Sequence, residues 1–380
     1  MKLLIKTLAG LEEVLEKEVE ALGGTGIEML KRAILCEGDK AFMYKANLWL
    51  RTAIRVLVPI QSFDATNEQD LYDQLLQVNW EDYMRLDQSF VVDVVTQSNK
   101  MKHSHFLSLK TKDAIVDWFR DKTGKRPSID TKNPDIKVHL HINAREECTL
   151  LLDSSGEGLH RRGYRTDGGA APVNEVLAAG LVQLSGWKAD QPFVDMMCGS
   201  GTILIEAALV AANKPPGRLR DFAFQKWADY DKELWANIRE EARNQQKDHE
   251  WPIIGVDQDF RAIRIAENNI EAAGLEDYIR VRRSNFNRYL PPEGPGIMII
   301  NPPYGLRIES DDIFNLYHDI GDKMKQDFSG YTAWILSGNL EALKHVGLRP
   351  KRKISLLNGH LECKFHAYEL YKGTKKLHKI

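Results

Sequence analysis

The stretch Phe193-Val194-Asp195-Met196-Met197-Cys198-Gly199-Ser200-Gly201-Thr202 runs from a short apolar segment through two glycines straight into an apolar helical pattern over 203–212. A strand, a glycine turn and a helix in immediate succession form the opening βα turn of a Rossmann-like parallel sheet. The dinucleotide version of that turn carries a third Gly or Ala for close packing, and here the position holds Leu204. A nicotinamide or flavin cofactor, and with it a dehydrogenase, is therefore disfavoured. Asp195, the acid that ends the strand, suits a cationic amino-acid moiety, while Gly199 and Gly201 let the backbone come close to a ligand.

Three further strand ends follow in order. The run Pro252-Ile253-Ile254-Gly255-Val256-Asp257 ends in an acid, followed by Gln258, where a ribose diol lies in nucleotide-binding sheets. After a helix over 260–273, a strand over 279–282 delivers Ser284-Asn285-Phe286, a polar and aromatic group able to bond and cover an adenine. The apolar run Gly296-Ile297-Met298-Ile299-Ile300 reads as a buried parallel strand ending in Asn301-Pro302-Pro303-Tyr304-Gly305. The two prolines remove backbone donors and fix φ, which leaves carbonyls pointing outward. The lone pair of an exocyclic base amine is delocalised into the ring, and acceptors on its two hydrogens favour a pyramidal, reactive nitrogen. The Asn301 side-chain oxygen and the Pro302 carbonyl can supply those acceptors. Tyr304 is expected to stack on the base, a contact worth roughly 1–3 kcal/mol, and Gly305 lets the chain leave without crowding the ring. An ordinary Pro-Pro strand exit with a surface tyrosine uses the same residues. Only the order of the four strand ends separates the two readings.

With 380 residues and 43% hydrophobic content, the chain is long enough for two or three domains with buried cores. Its net charge of −2 advertises no general nucleic-acid affinity. Cys36, Cys148, Cys198 and Cys363 are far apart with no C-x-x-C pair, which argues against a disulfide framework and a cysteine zinc site. Met1-Lys2-Leu3-Leu4-Ile5 is too short for a signal peptide, and no stretch approaches the 18 or so apolar residues of a membrane span. A reducing, cytoplasmic setting is expected. Strand and helix patterns divide the chain into a small α/β unit over 1–60, an α+β sandwich over 61–160 and the Rossmann-like domain over 161–380. The last carries a helical insertion over 213–250 with Trp227 and Trp235 packed inward.

The middle unit holds a local excess of positive charge. Between Gln97 and Lys137 there are 10 Lys or Arg against 5 acids, a net of +5. That asymmetry fits a surface tracking phosphates, with Lys100, Lys102, His103, Lys110, Lys125 and Arg126 as candidate contacts, although a solvated helix face also explains it. His103 and His105 have no third ligand near in sequence, so no metal is expected. Gly158-Leu159-His160-Arg161-Arg162-Gly163-Tyr164-Arg165 then crosses into the third domain, and Arg161, Arg162 and Arg165 suit backbone contacts to a nucleic acid or a clamp on a neighbouring loop.

Asp195 to Thr202, Asp257, Asn285 and Asn301 to Tyr304 resemble the successive motifs of class I S-adenosyl-L-methionine-dependent methyltransferases of the N/D-P-P-Y type, which methylate exocyclic amines. The basic sandwich resembles a THUMP RNA-binding domain, with a ferredoxin-like unit before it. The whole is similar to the bacterial 23S ribosomal RNA guanine-N2 methyltransferases of the K/L type, without their second methyltransferase half. The resemblance implies S-adenosyl-L-methionine held by Asp195, Cys198, Gly199, Ser200, Gly201, Thr202, Asp257, Gln258, Asn285, Phe286 and Asn301. It implies chemistry at Asn301, Pro302, Pro303 and Tyr304, direct methyl transfer with no metal, an RNA partner and no membrane, and a monomer or weak homodimer. Asn285 stands where many relatives carry an acid, so an adenine contact there uses a neutral amide or backbone. The same turn serves an adenine amine in RNA or DNA, and a binding protein with an inactive methyltransferase half is disfavoured by intact Asp195, Asp257 and Asn301.

Overall fold

The computed structural model describes residues 1–165, 172–304 and 310–371. Its first unit comprises Met1–Thr7, Glu16–Leu159 and Arg220–Glu241. In chain order the elements up to 159 are β1 (Lys2–Thr7), α1 (Glu12–Ala21), β2 (Thr25–Leu30), β3 (Ala33–Glu37), α2 (Lys40–Trp49), β4 (Ala53–Asp64), α3 (Glu68–Leu76), β5 (Ser89–Thr96), α4 (Ser104–Thr123), β6 (Ser128–Ile129), β7 (Ile136–Ile142) and β8 (Glu147–Asp153). All eight strands join one sheet in the order β2-β3-β1-β4-β8-β7-β5-β6.

The boundary expected at residue 60 falls inside β4. That strand pairs antiparallel with β1 through Leu4↔Leu57 and with β8 through Phe63↔Cys148, so no break in the sheet separates the two N-terminal halves. Pro59 has no N–H to give, and the β4–β8 register shifts between Pro59 and Gln61. Ile136, Val138, Leu140 and Ile142 alternate along β7 and are buried in a core with Leu71 and Leu75 of α3, Phe119 of α4, and Trp80. The Trp80 indole N–H donates to the Leu75 carbonyl at 3.0 Å, which removes the cost of burying it. The helix α3 starts where it does because Asn67 Oδ1 accepts from the Gln69 and Asp70 amides, both at 2.9 Å.

The insertion is not decoration of the third domain, since residues 220–241 belong to the first unit. Phe224 stacks on Tyr44 with ring centroids 4.2 Å apart, Trp235 meets Tyr44 edge-on at 6.0 Å, and the Arg220 guanidinium donates to the carbonyls of Ser155, Glu157 and Gly158. Trp235 is buried and Trp227 packs against the core under α3 and α4.

The second unit comprises Leu8–Leu15, His160–Leu219 and Ala242–Ile380. Its chain order continues with α5 (Glu175–Leu184), β9 (Phe193–Asp195), α6 (Thr202–Ala211), α7 (Lys232–Asn244, mostly within the first unit), β10 (Ile253–Asp257), α8 (Phe260–Ala272), β11 (Ile279–Arg283), β12 (Gly296–Ile300), α9 (Ser310–Asp327), β13 (Tyr331–Ser337), β14 (Arg352–Asn358) and β15 (Leu361–Glu369). The sheet runs β11-β10-β9-β12-β13-β15-β14; the first five strands are parallel, and β15 and β14 form an antiparallel edge. Parallel strands end on the same side, so the ends of β9, β10, β11 and β12 are brought together there. Pro172 lies just ahead of α5. Asn174 is the cap, with its side chain accepting from Val176 N at 2.9 Å, and a proline two residues earlier sets the approach.

Candidate active site

The turn after β9 is held by main-chain bonds: Cys198 N donates to Val256 O at 3.1 Å and Gly201 N to Cys198 O at 2.8 Å. Both glycines of the turn have positive φ, +52° at Gly199 and +78° at Gly201, which a side chain would strain. A Cβ on Gly201 would also lie 3.2 Å from Ala266 Cβ, so this glycine lets α8 pack against the turn. Gly199 N donates to Asp257 Oδ2 at 3.0 Å, and Asp257 Oδ1 accepts from Asp259 N at 2.9 Å. The carboxylate of Asp257 is thereby fixed between the first and second strand ends.

An open cleft of about 220 Å³ joins the strand ends and is lined by Met196, Met197, Asp257, Gln258, Phe286, Asn301 and Pro303. Asn285 Oδ1 caps the turn at Phe286–Arg288 by accepting from Asn287 N at 2.9 Å, and its Nδ2 reaches Gln258 Oε1 at 3.4 Å. Phe286, rather than the Asn285 amide, forms the wall. Asp195 is 1% exposed and lies beneath the floor, its Oδ1 accepting from Met197 N at 3.3 Å. Burial pushes its carboxyl up to about 8, the negative charge of Asp257 adds to the rise, and the Met197 N–H opposes it. Cys198 is buried as well, and burial raises its thiol well above the usual range. Ser200 Oγ and Thr202 Oγ1 face each other at 3.2 Å.

Tyr304 differs from expectation. Its ring turns inward instead of outward to stack: the phenol donates to Asn301 Oδ1 at 2.6 Å and lies 3.5 Å from Asn358 Nδ2 and 3.9 Å from Cys363 Sγ. Asn339 Nδ2 donates to the Tyr304 carbonyl at 3.1 Å, and a Cβ on Gly338 would lie 3.3 Å from the ring, so glycine there makes room for it. A phenol with several polar partners gains more by turning in than by facing water, and burial raises its pKa. The sequence pattern of the turn carried no sign of Asn339, Asn358 and Cys363, which lie 35 to 59 residues away. Gly305 lies outside the described residues.

The candidate RNA contacts do not form one patch. Lys100, Lys102 and His103 are exposed ahead of α4, and Lys125 and Arg126 follow its C-cap, Gly124. A helix of 20 residues is about 30 Å long, so these are two clusters at opposite ends. Along the helix Lys110 sits over the Tyr72 ring at 4.4 Å, Lys112 pairs with Asp113, Arg120 with Asp117 and Lys122 with Glu81. Of the three arginines near 160, Arg161 is exposed. Arg162 is 2% exposed and bound to Glu206 at 3.3 Å, a carboxylate also reached by the Tyr164 hydroxyl at 3.3 Å. Arg165 pairs with Glu175 at 2.7 Å and donates to Thr202 Oγ1 at 3.2 Å. Arg162 and Arg165 therefore brace the second unit from within, and the structure withdraws Arg162 from any nucleic-acid contact. Among the described residues, no group of three His, Cys, Asp or Glu can hold a metal ion, and no helix is long and apolar enough to cross a membrane.

This sheet order with its antiparallel edge, the glycine turn after β9, the acid ending β10 and the Asn-Pro-Pro-Tyr turn ending β12 define a class I, S-adenosyl-L-methionine-dependent methyltransferase. Residues 162–367 match the RMKL-like methyltransferase domain, 65–153 the THUMP domain and 2–57 the RlmL ferredoxin-like domain. The chain belongs to the RMKL-like family of methyltransferases that carry a THUMP domain. It is 38% identical over 365 residues to the Synechocystis protein "Putative RNA methyltransferase slr0064", covering 95% of each chain. It is 39% identical over 374 residues to the ribosomal RNA large subunit methyltransferase K/L of Syntrophotalea carbinolica, covering 95% of this chain and 52% of that one. The chain thus spans about half the length of the K/L relatives it matches. Among solved structures, SMU.472 complexed with SAH superposes with a TM-score of 0.90 at 30% identity, covering 98% of this chain and 99% of that one. A Listeria monocytogenes protein described as a "predicted N6-adenine-specific DNA methylase" superposes with a TM-score of 0.87 at 32% identity, covering 97% and 95%.

Proposed function

We propose that this protein methylates the exocyclic N2 amine of a guanine in large-subunit ribosomal RNA, in the cytoplasm. The observation that carries the reading is the cleft whose wall runs from Asp257 to Asn301 and Pro303, because it puts a cofactor-type acid and an amine acceptor in one cavity. The residues fit the cofactor: a fixed carboxylate at Asp257 for a ribose diol, Phe286 for an adenine face, and a glycine turn with room for close approach. When bound, S-adenosyl-L-methionine supplies a methyl group on a cationic sulfur that departs as a neutral thioether. Asn301 Oδ1 would accept one hydrogen of the target amine and hold the nitrogen lone pair toward the methyl; as the nitrogen takes the methyl and the thioether leaves, the surplus amine proton would pass to solvent water in the open cleft. Asn301 Oδ1 has two lone pairs, so it can accept from the amine while the Tyr304 hydroxyl holds it in place. The base has to be unpaired or flipped, at a cost of a few kcal/mol.

The ribosomal substrate is supported by the K/L relatives, and guanine by the resemblance of the motifs to those enzymes. An adenine-N6 activity on RNA or DNA is the second reading, favoured by the Listeria neighbour. Incubating hypomethylated ribosomal RNA and, in parallel, DNA with the protein and methyl-labelled cofactor, followed by nucleoside mass spectrometry, tests both. N2-methylguanosine supports the proposal, N6-methyladenosine replaces it with the second reading, and label entering only DNA refutes the RNA substrate.

A further inference from the structure

The edge strand of the methyltransferase sheet carries positive charge that the site described above does not use. Arg282 and Arg283 end β11, Arg288 follows in the next turn, and Arg261 and Arg264 lie in the first turns of α8. All five are exposed. None forms a salt bridge among the described residues. Because α8 runs back along the sheet from the carboxyl end of β10, these arginines gather at the same end of the strands as the cleft; Arg283 is paired in register with Asp257.

The acids of the same elements are segregated from them. Glu267 and Glu271 lie in the second half of α8, and Glu276 and Asp277 precede β11, toward the far end of a helix about 20 Å long. The two acids at the basic end are committed: Asp257 to the Gly199 and Asp259 amides, and Asp259 to the Arg261 amide as the helix cap. Phe260 stands beside the arginines, 57% exposed, with the Arg283 guanidinium 5.8 Å from its ring centroid. Arginines without acidic partners, interleaved with an exposed aromatic, suit the alternating phosphates and bases of single-stranded nucleic acid, with the ring offering a stacking face. An acidic protein surface would engage the charges but leave the phenylalanine without a role. Three strand spacings separate β11 from β12, about 14 Å, so the edge is within reach of nucleotides flanking a base held at Asn301.

We infer that this edge, Phe260 with Arg261, Arg264, Arg282, Arg283 and Arg288, binds the single-stranded RNA that flanks the target nucleotide; the inference rests on the RNA-methylating function proposed above. The full chain is tested with a short fluorescent single-stranded RNA and with unmethylated large-subunit ribosomal RNA, and SAH affinity serves as the folding control. The variant Arg261→Ala/Arg264→Ala/Arg282→Ala is expected to bind RNA roughly 10- to 100-fold more weakly at about 0.1 M salt, with a dependence of log affinity on log salt that is shallower by about 0.7 for each phosphate no longer neutralised. Phe260→Ala is expected to weaken binding several-fold with the salt dependence unchanged. SAH affinity stays at the wild-type value in both. If the wild type binds and methylates RNA while the triple variant keeps its affinity and salt slope, the edge is not an RNA surface and an acidic protein partner takes its place. A wild type that neither binds nor methylates RNA removes the functional proposal, and the edge assignment with it.

Discussion

Asn301 and Asp257 line one cleft, yet they are assigned different work. Asp257→Ala removes the fixed acceptor beside Gly199, and a charged hydrogen bond is worth about 1.5–3 kcal/mol. Cofactor affinity measured by calorimetry is expected to fall about 10- to 150-fold. Asn301→Ala should leave that affinity within a few-fold while turnover falls by roughly 10²–10³, the usual cost of losing one donor or acceptor aimed at developing charge. Equal losses of cofactor affinity in both variants would contradict these roles. Tyr304→Phe keeps the ring and removes the hydrogen bond to the Asn301 oxygen, so methyl transfer should stay within about tenfold of wild type, whereas Tyr304→Ala also removes the ring packed beside Gly338 and should fall further. Asp195 adds a pH signature. Its carboxyl, ordinarily at 3.8, is raised to about 8. The ligand-free fold therefore holds a proton there between those values, and the stability this gives is present in full below the lower value and lost as pH rises through the upper one. A cation bound nearby favours the carboxylate, so cofactor binding should release a proton and tighten by up to about tenfold per pH unit until about pH 8. Titration calorimetry in buffers of different ionisation enthalpy would detect the proton; in Asp195→Asn the slope should vanish.

At the scale of elements, the parallel strands and their order were legible because each is a short apolar run ending in a polar residue, a pattern that survives without tertiary information. The ion pairs were not. Arg162 reads as a surface cation in a connecting segment, and only folding brings it to Glu206, 44 residues later on a helix that is buried nearly all round. Glu206→Ala takes the carboxylate away from a guanidinium at 2% exposure, a change expected to cost about 3–5 kcal/mol. Urea denaturation should show the loss, and Glu206→Gln should restore part of it by keeping a hydrogen-bond acceptor. The middle unit is similar: its cations are crowded between Gln97 and Lys137 in sequence, and a long helix separates them into two end clusters and pairs Lys112, Arg120 and Lys122 with acids.

For the molecule as a whole, composition and hydrophobic period located the methyltransferase sheet and the N-terminal strands, while continuity between parts was hidden. A strand with alternating burial looks the same in sequence whether one or both edges are paired, so β4 read as the end of a small unit when it is the spine of an eight-stranded sheet. A fragment of residues 61–160 would lose Ala53 to Ile60 of that strand and leave the end of β8 without its neighbour. It is expected to show no cooperative thermal transition by circular dichroism.

The return of residues 220–241 to the first unit bears on synthesis. A domain that closes early in the chain can fold while the rest is still being made. This one lacks Phe224 and Trp235 until the chain has been extended past them, by which time β9 and α6 have already emerged without β10 to pair with. The nascent chain therefore carries two unfinished cores at once, until Trp235 and then β10 have been made.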